Sequence, residues 1–389
     1  MAAAIYIIYI YIEERKIFLK KSEVYFTNMR TTMELNLLQK LEKLLLKAGI
    51  KKIDFDRQFV AIKIHFGEPG GIAYLRPNYS KVVADMVKGF GGKPFLTDCN
   101  TLYVGRRKDA LEHMEAAYEN GYNPFCTGCH VIIADGLKGL DEVYVPIAGG
   151  EYVKEAKIGR AIMDADIIIS MTHFKGHEQT GFGGVLKNLG MGSGSRSGKM
   201  EMHNSGQPEV DRGACVGCRR CTTVCAHGAI AVTGGKASID TDKCLGCGRC
   251  IAVCPHDAIS PLWDESEELV ARKIAEYTKA VVDGRPNFHI SFVVDVSPFC
   301  DCHCDNDLPI VPNLGIFASF DPVALDQACA DAVMKAPVTG GSYLEDCIKE
   351  HGEGKDYFHT MHPTTRWESM LDQGEKLGIG TRRYNLIEV

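Results

Sequence analysis

Ile167-Ile-Ile-Ser-Met171, followed at once by Thr172-His173-Phe-Lys175-Gly-His177-Glu178, decides the fold. A short, mostly β-branched run that stops at a polar, glycine-bearing loop reads as a strand of a parallel sheet with both faces covered. Outward from it the pattern recurs. Residues 24–27, 59–64, 93–97 and 131–134 are strand-like, with helical patterns at 33–48 and 80–88. Downstream come a helix at 267–282 and strands at 290–296 and 315–319. Asp321 and Pro322 then suit the cap and first position of another helix. Strands alternating with helices predict an α/β fold with a mostly parallel sheet and helices on both faces.

The polar residues fall just after the strands. His65 follows 59–64, Asp98-Cys99-Asn100 follow 93–97, and Asp135-Gly136 follow 131–134. Thr172-His173 and the segment from Ser297 to Cys304 follow two more. In open parallel sheets ligands bind in the crevice outside the carboxyl ends of the strands, so these positions predict a lined pocket. Its richest stretch runs from Thr172 to Gly192. His65, His173, Lys175, His177 and Lys187 are the candidate catalytic groups. Gly183, Gly184 and Asn188 are candidates for holding a small-molecule or anionic ligand. Glycines let backbone amides approach an anion, lysines supply charge, and histidines carry protons near neutral pH. The competing reading is a glycine-rich connector with solvent-facing lysines, and singly Asp98 and Asp135 read as loop caps. Neither a Walker A pattern nor a dinucleotide fingerprint is present.

The 389 residues contain sixteen cysteines, with 44 basic against 50 acidic side chains for a formal net charge of −6. No basic block suggests nucleic acid. Cys215-Val-Gly-Cys218-Arg-Arg-Cys221-Thr-Thr-Val-Cys225 is answered by Cys244-Leu-Gly-Cys247-Gly-Arg-Cys250-Ile-Ala-Val-Cys254. This doubled C-x2-C-x2-C-x3-C run is the pattern of bacterial two-cluster ferredoxins, in which the fourth cysteine of each run ligates the other cluster. One [4Fe–4S] cluster is therefore expected on Cys215, Cys218, Cys221 and Cys254, and a second on Cys244, Cys247, Cys250 and Cys225. Zinc is the rival, since paired C-x2-C units also make zinc ribbons, but there the third cysteine of each run is surplus. Between the runs, Gly234-Gly235 marks a hairpin, which makes the insert a small α+β ferredoxin domain.

Of the other cysteines, Cys126 and Cys129 form one group and Cys300, Cys302 and Cys304 another. Together they are candidates for a further metal or a redox dithiol, the last three sharing one side of an extended segment. Plain packing thiols are the alternative. The organisation expected is a leader or non-native extension at 1–21, an α/β domain at 22–205 and 263–389, and the two-cluster insert at 206–262. The apolar start, 1–12, is about half the ~20 residues that a membrane-spanning helix needs. It also lacks the flanks of a signal peptide, so no membrane span and a cytoplasmic location are expected.

With these residues in hand, the chain from Ser22 resembles an uncharacterised family of iron–sulfur-centre proteins, in which an α/β domain of unknown function carries an inserted two-cluster ferredoxin. The resemblance rests on Lys63-Ile-His65-Phe-Gly-Glu-Pro-Gly-Gly71, Ile133-Ala-Asp-Gly-Leu137, and His173-Phe-Lys-Gly-His177 with Gly183-Gly-Val-Leu-Lys-Asn-Leu-Gly190. It continues through Cys300-Asp-Cys-His-Cys304 and Asp321-Pro-Val-Ala-Leu-Asp326. It implies clusters and a redox setting, without a substrate. The loop bearing His173 and Lys187 is also faintly similar to that of nickel-cofactor lactate racemases. Three functions remain open: an oxidoreductase passing electrons to a substrate or metal in the crevice, an electron carrier whose α/β body docks a redox partner protein, and a scaffold for metal or cluster assembly.

Overall fold

The computed structural model describes residues 21–203 and 207–389; the leader expected at 1–21 lies outside them except for Lys21. An eight-stranded sheet organises the chain. Its strands are β1 (Ser22–Asn28), β2 (Phe59–Lys63), β3 (Lys93–Asp98), β4 (His130–Ile133), β5 (Ile167–His173), β6 (Asn287–Val293), β7 (Gly315–Ser319) and β8 (Tyr384–Glu388). In space they stand β8-β1-β7-β6-β5-β2-β3-β4. β7 is antiparallel to both neighbours and every other pairing is parallel. The cause is local: the connection from β6 to β7 contains no helix, and a parallel return needs a crossover.

The expected α/β fold with covered faces is what forms. Helices α1 (Leu37–Ala48) and α2 (Pro77–Gly89) cover one face, where Leu44 and Val83 pack on Val60, Ile62, Ile167 and Ile169. The helices α4 (Val185–Ser193), α6 (Glu267–Val282) and α7 (Pro322–Lys335) cover the other, where Leu189, Ile274 and Leu325 pack with Ala61 and Ile168. In the chain α3 (Ala110–Glu119) lies between these groups, α5 (Arg196–His203) lies between α4 and α6, and α8 (Trp367–Lys376) follows α7. The period-2 alternation of the strands sends odd and even residues to separate cores.

Boundaries shift where capping chemistry decides them. α1 starts at Leu37 rather than 33, because Asn36 accepts from the Gln39 backbone N–H while the Gln39 side chain accepts from that of Asn36. β6 begins and ends three residues before the expected 290–296. α4 and α6 cross closely at Gly190, where a Cβ would press into the Ile274 carbonyl oxygen.

Between α5 and α6 the chain leaves the sheet and returns. Pro208–Val210 pairs with Ile259–Pro261 and brings the two ends of this excursion together. Inside it, Ile230–Thr233 and Lys236–Ile239 form the hairpin, turned by Gly234 and Gly235 at positive φ. Arg220–Val224 and Arg249–Val253 are its short helices. A third, small core gathers Cys221, Cys250 and Ile259 with Leu102 and Met200 of the larger body. Among the described residues no helix is long and apolar enough to cross a membrane.

Candidate functional site

The chain runs from β2 outward through β3 to β4, then returns to place β5 on the other side of β2. Connections therefore leave the carboxyl ends of β2 and β5 in opposite directions, and such a switch point opens a crevice. A cavity of about 280 Å³ lies there. β2 contributes Lys63 from its end and β3 contributes Asp98. The loop after β5 contributes Lys175, His177, Glu178 and Gly183, α4 contributes Lys187 and Asn188, and the loop after β6 contributes Cys300 and Cys302. Of the predicted site residues, His65, Lys175, His177, Lys187, Gly183, Gly184 and Asn188 line this cavity together.

His173 does not line it. Its Nδ1 lies 2.8 Å from Asp301 Oδ1 and its Nε2 2.8 Å from the Val294 carbonyl, so both ring nitrogens are engaged in fixing the Cys300–Cys302 segment. His65 faces the cavity, but both its ring nitrogens are engaged, Nε2 lying 2.8 Å from the Arg107 guanidinium and Nδ1 3.1 Å from the Gly67 N–H. Burial and the Arg107 charge push its pKa well below the usual histidine value, so it is a neutral acceptor. His177 Nδ1 accepts from the backbone N–H groups of Gln179 and Thr180, which leaves Nε2 as the protonated nitrogen, directed at Cys300.

The expected amide cradle is also occupied from within. The Val185 and Leu186 N–H groups after Gly184 donate to the Asp326 carboxyl at 2.6 and 2.9 Å, so these two amides of the α4 N-terminus are already taken. Asn188 staples strand ends, accepting from Lys63 Nζ at 2.8 Å and donating to Thr172 Oγ1 and the Met171 carbonyl. Lys63 pairs with Asp98 at 3.0 Å, and burial lowers its pKa. Lys175 pairs with Asp301 at 3.0 Å. Lys187 differs: its Nζ lies 3.6 Å from Cys300 Sγ. Burial pulls its pKa down, but Cys300, Cys302 and Glu178 hold it above the usual value. Among the described residues, Lys187 and Lys199, whose Nζ donates to the Gly194 carbonyl, are thus the cavity lysines without a carboxylate pair.

The five cysteines proposed for a further site do not assemble. Cys126 and Cys129 precede β4, at the amino end of a strand parallel to β6, whereas Cys300 follows the carboxyl end of β6. The two groups are at opposite ends of the sheet. Nor is the second segment extended: β6 stops at Val293 and residues 301–304 turn, closed by His303 N–H to the Cys300 carbonyl. Cys300 and Cys302 reach the cavity, while Cys304 is exposed beside Gly70. The Cys300–Cys302 hydrogen bond splits the pair, pushing the Cys300 thiol up to about 11 and pulling Cys302 down.

Two further hollows lie in the excursion. One is lined by Cys215, Cys218, Cys221 and Cys254, the other by Cys225, Cys244, Cys247 and Cys250. These are the places where a thiolate-held metal group fits. Backbone N–H groups of Ala237, Ala229 and Ala258 point at Cys215, Cys225 and Cys254 Sγ, each at 3.3 Å. Gly217 and Gly248 hold positive φ, and a Cβ on Gly217 would press into the Gly235 carbonyl.

Several cavity residues gave no signal in the sequence. Arg107 is buried with its Nε on Glu68 at 2.8 Å and its guanidinium on Tyr103 and His65. Its loop has no period or glycine pattern that marks it. Trp263, in a left-handed backbone at φ 54°, packs edge-on against His203, ring centroids 4.7 Å apart, and both line the cavity. Burial lowers the His203 pKa to about 3.

The family described as "Domain of unknown function (DUF362)" matches residues 60–331. A thylakoid-associated protein of Synechocystis, sll1697, is 30% identical over 127 residues, which cover 31% of this chain and 34% of that protein. The chain therefore matches about a third of that relative's length. Two solved structures align at low similarity. A Thermotoga maritima protein has a TM-score of 0.36 at 12% identity, over 79% of this chain and 59% of its own. The lactate racemase apoprotein of Thermoanaerobacterium thermosaccharolyticum has a TM-score of 0.30 at 11% identity, over 70% and 51%. Neither likeness bears on the function of this chain.

Proposed function

We propose that this chain, which belongs to the DUF362 family, is an iron–sulfur oxidoreductase acting on a small anionic ligand in the strand-end cavity. The observation that carries the reading is the sorting of eight cysteines into two hollows, each with three from one run and the fourth from the other. Zinc ribbons have no use for that exchange, whereas paired cubanes require it. Held by Cys215, Cys218, Cys221 and Cys254 and by Cys244, Cys247, Cys250 and Cys225, two [4Fe–4S] clusters supply one-electron transfer when bound. The N–H groups aimed at Cys215, Cys225 and Cys254 Sγ suit thiolates bound to such a group.

The chain's own residues supply the rest. Leu102 lines the cavity and also packs in the core that holds Cys221 and Cys250, so the cluster region and the cavity share a wall. Lys187 attracts and holds the anion, and His177 Nε2 is placed to donate a proton or hydrogen bond. Arg107 and Asp301 hold His65 and Lys175 in place. A redox partner protein exchanges electrons at the surface of the insert, where Val216 and Leu245, equivalent in the two runs, are 58% and 69% exposed. A cytoplasmic setting suits sixteen cysteines of which none is paired. An electron carrier that only docks partners leaves the converging lysine, histidine and thiols without a use.

The test is an oxygen-free preparation. About eight iron and eight acid-labile sulfide per chain are expected, and Cys250→Ser should remove about half. A colourless protein with about two zinc ions would refute the cluster assignment. Lys187→Met with cluster absorbance intact should abolish turnover; unchanged turnover would favour the carrier.

A further inference from the structure

We propose that Glu178, Cys302 and His303 form a separate metal site that holds one zinc-class divalent ion at the cavity wall, an assignment that rests on the cavity being the working site but not on the clusters. A carboxylate oxygen, Sγ and a ring nitrogen of these residues lie within 4.8 Å of one another. Around an ion bound at zinc distances, donor atoms stand about 3.3–3.8 Å apart, so closure by roughly 1 Å completes the site. All three residues line the cavity.

Glu178 shows the need for a cation. Its Oε1 is 3.0 Å from His303 Nε2, while its Oε2 is buried with no hydrogen-bond partner. An orphaned carboxylate oxygen shielded from water is a cost that a bound cation removes.

The ligands are held in place by their surroundings. His177 Nδ1 takes the Gln179 and Thr180 N–H groups and so fixes the turn that carries Glu178. The His303 N–H to Cys300 carbonyl bond closes the turn that carries Cys302 and His303, and Asp301 ties it to His173 and Lys175. Lys187 faces Cys300, the second thiol, which stands outside the ligand set. One thiolate, one imidazole and one carboxylate is a borderline-soft donor set that suits zinc. Three protein ligands leave a fourth position open, as in catalytic zinc sites, and here it faces the cavity, where the ion would polarise an oxygen of the anion near Lys187.

The one other comparable group among the described residues, Asp356, His359 and Glu368, is satisfied internally. Asp356 caps a helix turn through the His359 N–H, and its Oδ2 takes His359 Nδ1 and Trp367 Nε1. Glu368 pairs with Lys355.

The experiment titrates the full, anaerobically prepared chain with zinc chloride and counts zinc, iron and sulfide separately. One zinc beyond the cluster iron is expected, with X-ray absorption at the zinc edge showing a single sulfur among nitrogen and oxygen neighbours. Glu178→Gln and the exposed His303→Gln should each weaken zinc binding by at least about 100-fold, with iron and sulfide unchanged. Cys302→Ser should remove the sulfur neighbour, and Cys126→Ser should change nothing. Equal zinc affinity in wild type, Glu178→Gln and His303→Gln overturns the site. So does a zinc environment of sulfur alone, which places the ion among the eight cluster cysteines. If iron and sulfide are then absent, the cluster assignment falls as well; if they are present, it stands.

Discussion

Replacing Asp301 by Asn removes the one negative charge that holds the Cys300–Cys302 segment to the end of β5. In the folded chain its carboxylate sits 2.8 Å from His173 Nδ1 and 3.0 Å from Lys175 Nζ, with side-chain exposures of 2%, 1% and 7% for the three residues. At such burial solvent screening is nearly absent, so the surface-pair value of about 0–1 kcal/mol does not apply. Breaking a buried pair from one side strands the partner and costs about 3–5 kcal/mol. Against a total of about 5–15 kcal/mol that is a large share. Urea unfolding at constant slope, followed by fluorescence under anaerobic conditions, should show this loss at pH 7. Asp301→Asn combined with Lys175→Met should recover part of it, because the Lys175 charge is then no longer stranded and only His173 still faces the lost carboxylate. Burial opposes ionisation of Asp301, but His173 and Lys175 hold its carboxyl well below the usual range. A depressed folded pKa means that the contribution is present above the unfolded value of about 3.9 and is lost as pH falls further, so the variant should flatten that acid limb. A loss under about 1 kcal/mol, or a double variant no more stable than the single, would refute the reasoning.

Gly190→Ala, where α4 and α6 meet, should cost about 1–3 kcal/mol through overpacking against the Ile274 carbonyl, read as a lower urea midpoint. His289 is buried between Ser170 and Asn287, and burial lowers its pKa to about 3. The unfolded chain therefore takes the proton first as pH falls below about 6.5, and stability falls by about 1.4 kcal/mol per pH unit toward pH 3. His289→Gln should lower the overall slope by that amount, since buried His113 and His203 share it, and an unchanged pH profile would contradict the neutral buried ring. Lys187→Met should weaken binding of a small dicarboxylate probe such as oxalate by about tenfold or more, about 1.4 kcal/mol, by calorimetry. Unaltered affinity would show that the anion does not meet this lysine.

Local patterns carried much of the architecture. α6 at Glu267–Val282 and β7 at Gly315–Ser319 match the expected ranges, because hydrophobic period and flanking glycine or capping residues agree there. β6 was misplaced by three residues because its apolar run continues past the end of pairing into Val294 and Val296. The cavity was legible as a place, since polar residues after strands mark carboxyl ends. Its membership was only partly legible. His173 is pattern-equivalent to His177, yet it turns to Asp301, and nothing local marks Arg107 or Trp263.

What the linear chain determined by itself was the strand–helix alternation, the doubled cysteine spacing and the residue types available to each loop. These depend on interactions a few residues long, so they are written in period and spacing. Only the folded arrangement decided that Cys126 and Cys129 stand at the far end of the sheet from Cys300, and that Asp326 fills the α4 N-terminus. The same holds for Glu178 meeting Cys302 and His303. Those outcomes follow from strand order and from which side chain reaches a charge first, and both are set by contacts between segments more than a hundred residues apart.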